Sequence, residues 1–115
     1  MDNMTESSRT QMRRGVLEYS ILLILNCGDE YSSSIIQKLK DVDIIVAEGT
    51  VYPLLARLKN SGLLSYRWEE SVQGPPRKYY TITSLGKSQL AELDAVWNEM
   101  ANAIGRLKTD SNLPV

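Results

Sequence analysis

The sequence predicts a mostly α-helical fold with one small β-hairpin, in the order helix, helix, helix, hairpin, long helix. Three observations predict it. Apolar residues recur at helical spacing over most of the chain. One stretch, Leu63 to Glu70, changes to strict alternation, with Leu64, Tyr66 and Trp68 set against Ser65, Arg67 and Glu69. A turn-rich segment, Ser71 to Pro76, then separates it from a second β-rich run, Arg77 to Thr83.

The elements follow in order. Residues 1–8 are polar and are expected to be a flexible N-terminus. A helix is expected from about Arg9 to Asn26. Val16, Leu17, Tyr19 and the run Ile21 to Leu25 leave it apolar on nearly every side, which calls for burial in a core or between subunits. Cys27-Gly28-Asp29 ends it. A short second helix is expected from Ser32-Ser33-Ser34 to about Asp41, capped by one of the serines, with Ile35, Ile36 and Leu39 inward. The third, about Glu48 to Ser61, carries Val51, Leu54, Leu55 and Leu58 at i, i+3, i+4, i+7, bends at Pro53 and stops at Gly62. After the hairpin a final helix is expected from Ser84 to Lys108, with residues 109–115 a flexible tail. Three helices followed by a two-stranded wing is the winged form of the helix-turn-helix, here in residues 9–83; residues 84–108 are an addition to it.

Composition narrows the function. A chain of 115 residues with 43% apolar and 23% charged residues has the balance of one globular domain. No apolar run approaches the roughly 18 residues of a membrane span, and no secretory signal is visible at the start. The lone Cys27 cannot form an internal disulfide, which suits a cytoplasmic location; it reads as a buried small hydrophobe. The chain has no histidine, glycine-rich phosphate loop or metal-ligand cluster, so an enzyme is not expected, nor a cofactor or metal. The net charge of −1 argues mildly against nucleic acid, but its distribution argues for it. Residues 1–49 carry five basic and eight acidic groups, and residues 91–115 two and four. Residues 50–90 carry six basic groups against Glu69 and Glu70, a local patch of the kind phosphate contact needs.

Opposite its apolar stripe the third helix presents Gly49, Pro53, Ala56 and Asn60, flanked by Tyr52 and Arg57. Small residues let the backbone approach a major groove, and polar and planar groups at the edges can reach bases and phosphates. Arg77 and Lys78 follow the loop and can grip phosphate from the wing. A surface that binds protein through the third helix, without DNA, is the alternative.

Two stretches carry a family resemblance. Glu48-Gly49-Thr50-Val51-Tyr52-Pro53-Leu54-Leu55-Ala56-Arg57-Leu58 with Gly62-Leu63-Leu64 resembles the recognition-helix motif of PadR-type transcriptional regulators. Gly74-Pro75-Pro76-Arg77-Lys78-Tyr79-Tyr80-Thr81-Ile82-Thr83-Ser84-Leu85-Gly86 resembles their wing motif. The resemblance spans about residues 12–108 and is to the short branch that includes multidrug-sensing repressors. It implies a homodimeric winged-helix repressor, often relieved by a small molecule; a two-fold dimer is then expected to bind a pseudo-palindromic double-stranded operator. Thr50, Tyr52, Pro53, Arg57 and Asn60 would then face the groove, and Gly74, Arg77 and Lys78 would sit at the wing. The chain departs from the family's usual pattern at Tyr31-Ser32-Ser33-Ser34, Ala47 and Pro75.

The last helix carries a seam. Leu90, Leu93, Trp97, Met100, Ile104 and Leu107 are spaced 3, 4, 3, 4, 3, a heptad pattern that suits a dimer interface. Two readings of Trp97 stand: packing in a core, or, as the multidrug-sensing branch implies, stacking of a planar aromatic effector at the dimer centre beside Met100, Val16 and Tyr19. Trp68 reads as packing.

Overall fold

Between Asp2 and Arg14 the sequence has no glycine or proline to stop a helix, and in the computed structural model helix α1 runs unbroken over Asp2–Cys27. The structure describes residues 2–44 and 46–115, residues 2–7 by their backbone. Asp2 to Ser8, expected to be flexible, therefore belong to the helix; Met1 lies outside the described residues. Strand β1, Glu30–Tyr31, follows, then helices α2, Ser32–Asp41, and α3, Glu48–Asn60. Strands β2, Leu64–Glu69, and β3, Arg77–Ile82, precede helix α4, Ser84–Asp110, which outruns its expected end by two residues.

The sheet is antiparallel with order β1-β3-β2, so the hairpin gains a third strand. At two residues β1 is too short to show a period in the sequence. It pairs Glu30 with Tyr80 and Tyr31 with Tyr79. The hairpin register runs from Leu64↔Ile82 to Glu69↔Arg77. One face thus carries Leu64, Tyr66 and Trp68 with Lys78, Tyr80 and Ile82, and the other carries Arg67 and Glu69 with Arg77 and Tyr79.

The core joins Leu17, Ile21, Leu22 and Leu25 of α1 to Ile35, Ile36 and Leu39 of α2, Val51, Leu55 and Leu58 of α3, and Leu64, Tyr80 and Ile82 of the sheet. The all-apolar α1 is not buried all round: Leu23 is exposed and Val16, Tyr19 and Ile24 are half-buried. Cys27 is exposed rather than buried, because the chain leaves the core at the end of α1. No serine side chain caps α2. Tyr31 occupies the N-cap position without a side-chain bond, since pairing with β3 fixes it extended.

The junctions hold α3, the sheet and α4 together. Gly62 takes a left-handed φ of 81°, which turns the chain after α3 and lets Leu63 N–H donate to Leu58 O at 3.0 Å. Thr83 caps α4: its Oγ1 accepts from Gly86 N–H at 3.0 Å and lies 2.6 Å from Gly62 O, to which the hydroxyl donates. Farther along, Tyr19 of α1 donates its hydroxyl to Asp94 of α4 at 2.6 Å. That bond, ahead of desolvation, raises the Tyr19 pKa. No helix among the described residues is long and apolar enough to cross a membrane.

Candidate nucleic-acid interface

The apolar stripe of α3 decides which side it shows. Val51, Leu55 and Leu58 are buried, so Gly49, Pro53, Ala56 and Asn60 point outward, as expected. One flank of this face turns toward α1. There Thr50, Pro53 and Arg57 share an open groove of about 910 Å³ with Arg13, Arg14 and Gly15. The other flank turns toward the wing. Tyr52 and Lys59, seven residues apart and therefore on one side of the helix, stand there.

The wing holds its cations in two ways. Arg67 is ion-paired, to Asp29 at 3.2 Å and Glu69 at 3.0 Å, and these bonds raise its pKa, Asp29 first. Arg77 and Lys78 have aromatic partners instead. The Arg77 guanidinium lies 4.1 Å from the centroid of Tyr31, whose ring meets Tyr79 edge-on at 4.6 Å. Lys78 Nζ lies 4.7 Å from the Tyr66 centroid, on the opposite face of β3. A ring face restrains a cation without neutralising it, so both charges stay available to an anion. Gly74 lies in the loop between β2 and β3 at φ 121°, in the left-handed region that favours glycine.

The structure thus gathers Thr50, Pro53 and Arg57 beside α1, while Tyr52 is exposed on the flank of α3 that carries Lys59, and Lys78 lies on the wing face that Lys59 reaches. Lys59, not among the residues expected here, joins them: its Nζ lies 5.7 Å from the same Tyr66 ring. Its seven-residue spacing from Tyr52 was the available signal. Trp68, expected to pack, is instead 62% exposed beside Lys78, because its strand extends past the core into the wing.

The seam of α4 divides. Leu90 is 8% exposed and belongs to the subunit's own core, and Leu93 packs partly against it, so these two are spent within the chain. The cause is that the first turns of α4 lie against α1, at the level of the Tyr19–Asp94 bond. Trp97, Met100, Ile104 and Leu107 are 44%, 56%, 54% and 61% exposed and form a separate apolar strip. Among the residues expected at an effector site, Tyr19 and Trp97 are in contact, with ring centroids 5.9 Å apart. Val16 is half-buried on α1 and Met100 lies one turn beyond Trp97.

A three-helix unit that presents its third helix, beside a hairpin bearing cations at its loop end, defines a winged helix-turn-helix protein. The chain belongs to the Transcriptional regulator PadR-like family, whose profile matches residues 21–92, more than half its length. It is a transcriptional regulator, and not an enzyme. A PadR-like transcription factor from Bacteroides fragilis is 54% identical, with a TM-score of 0.74 over 88% of this chain and 98% of that one. A PadR-like regulator from Bacillus cereus is 37% identical, with a TM-score of 0.77 over 84% and 95%. PadR from Bacillus subtilis, solved in complex with operator DNA, is 28% identical, with a TM-score of 0.62 over 67% of this chain and 44% of that one.

Proposed function

We propose that the protein is a homodimeric repressor that binds a pseudo-palindromic duplex operator in the cytoplasm. The observation that carries this reading is the outward face of α3, small at its centre and polar at both flanks, set beside wing cations that no carboxylate among the described residues neutralises. The complex of the Bacillus subtilis relative with its operator supports it. Thr50, Tyr52, Pro53, Arg57 and Asn60 enter the major groove, while Gly74, Arg77 and Lys78 follow the backbone. Residues 9–83 read the DNA, and the exposed strip of α4 pairs with a second copy. Two such helices reach successive major grooves about 34–36 Å apart. A mobility shift on the promoter region of the protein's own gene tests the reading.

The double variant Arg77→Ala/Lys78→Ala is expected to weaken binding to every duplex alike and to flatten its salt dependence. The slope of log affinity against log salt falls by about 0.9 for each phosphate that the protein no longer neutralises. Tyr52→Ala and Arg57→Ala are expected to cost about 1–3 kcal/mol at the operator and less on random duplex. An unchanged salt slope in the double variant would remove the wing from the interface.

The reading extends to an effector. Trp97 and its symmetry mate are expected to flank a site for a planar aromatic molecule, with Met100, Val16 and Tyr19 around it. Stacking contributes roughly 0.5–1.5 kcal/mol per aromatic pair beyond area burial. Such a ligand releases DNA only if it binds the DNA-free dimer more tightly, and DNA must then weaken the ligand by the same factor. In Trp68→Phe protein, a planar aromatic dye is expected to quench the Trp97 emission. Equally tight dye binding by the Trp97→Leu protein, read from the dye's own anisotropy, would exclude this residue from the site.

A further inference from the structure

Where α3 meets the wing, Lys59 of α3 converges with Tyr66, Trp68, Lys78 and Tyr80 of the sheet. The hairpin register places the last four on one face, Tyr66 opposite Tyr80 and Trp68 opposite Lys78. Tyr66 lies 5.8 Å from Tyr80 and meets Trp68 edge-on at 5.9 Å. Burial, ahead of the neighbouring tyrosines, raises the Tyr80 pKa.

Two ammonium groups converge on this cluster. Lys59 Nζ is 5.7 Å and Lys78 Nζ 4.7 Å from the centroid of the same Tyr66 ring, and Lys78 is also 5.6 Å from Trp68. Neither has a carboxylate partner among the described residues. Asp29 and Glu69 are engaged by Arg67, which lies on the other face of the sheet, and Glu70, just past the end of β2, is exposed and forms no ion pair with either lysine. Two like charges drawn to one ring repel each other, and an anion between them turns that repulsion into attraction. The aromatic face restrains both side chains beforehand, so less conformational freedom remains to be lost when the anion arrives.

We propose that Lys59 and Lys78, gathered at Tyr66, bind one backbone phosphate of duplex DNA and so tie the recognition helix to the wing. This rests on the reading that the chain binds duplex DNA. The competing account is that both lysines merely cover the rings with their aliphatic stems and keep their charge in water. That account predicts no contribution to binding.

Fluorescence anisotropy separates the two, using a labelled promoter duplex and a random duplex of equal length between 50 and 200 mM salt. Lys59→Ala is expected to weaken both duplexes by the same factor and to lower the salt slope. Lys59→Arg is expected to retain both. Because the two lysines share one phosphate, the double variant Lys59→Ala/Lys78→Ala is expected to lose less than the product of the single losses. If Lys59→Ala leaves the slope unchanged while Arg77→Ala lowers it, the clamp is overturned and DNA binding stands. Fully multiplicative losses overturn the shared phosphate. A wild-type protein that binds neither duplex at 50 mM salt overturns the clamp and the DNA reading together.

Discussion

Replacing Ile104 and Leu107 together by glutamate is expected to convert the protein from a two-chain to a one-chain particle. Operator affinity should fall by about 10²–10⁴-fold, the contribution of linking two binding modules. From Asp94 to Asp110 every residue of α4 is exposed except Gly105 and Lys108, which are half-buried. A helix with so little support from its own chain is one that packing against a second copy would stabilise. The strip of Trp97, Met100, Ile104 and Leu107 keeps the 3, 4, 3 spacing of a paired-helix seam, and Val96 adds to its exposed apolar surface. Glutamates at two of these positions would place charges in that seam without touching the subunit core. Asn102→Glu, on the opposite side of the same helix, is expected to leave the assembly intact. Sedimentation equilibrium at micromolar concentration reads all three proteins. A monomeric wild type would sink the dimer, and a dimeric Ile104→Glu/Leu107→Glu protein would move the interface off this strip.

Local pattern made much of this legible. The types and order of the helices and the hairpin followed from apolar periodicity and turn residues, because α3 has one buried stripe and β2 alternates over the part that meets the core. The central residues of the outward face of α3 followed from the same geometry. What the sequence could not show depends on residues far apart in the chain. Whether Leu90 faces its own core or a partner is settled by where α4 lies against α1, which a heptad does not encode. The pairing of Tyr31 with Arg77, and of Lys59 and Lys78 with Tyr66, depends on strand register and on the angle between helix and wing. Trp68 and Cys27 show the limit of reading burial from residue type: both are apolar, and both lie where their element leaves the core. The two-residue β1 exists only because β3 offers it an edge.

Gly86→Ala is expected to destabilise the protein by about 3 kcal/mol or more, at the upper end of what overpacking costs. Helix propensity alone predicts the opposite sign, since alanine in place of glycine within a helix gains up to about 1 kcal/mol. Space decides between them. A Cβ at Gly86 would stand 2.2 Å from Leu63 O and 2.7 Å from Ile82 Cγ1, far inside contact distance. The nearer neighbour is backbone and cannot rotate away. The same Leu63 carbonyl accepts from Thr83 N–H at 3.1 Å, so moving it also disturbs the start of α4. Relief therefore requires α4 to lift from the turn between α3 and β2, which carries Leu90 out of the core and shifts the wing against α3. For a domain of this size each kcal/mol lowers the melting temperature by roughly 4–8 °C. Gly15→Ala is the matched control: it lies in the interior of α1, and its added Cβ would meet nothing within 4 Å. That variant is expected to melt at or slightly above the wild-type temperature. Both are compared at one protein concentration, because the melting point of the proposed dimer would depend on it. A Gly86→Ala protein as stable as the wild type would mean that α4 does not dock against Leu63 in solution as it does in this structure.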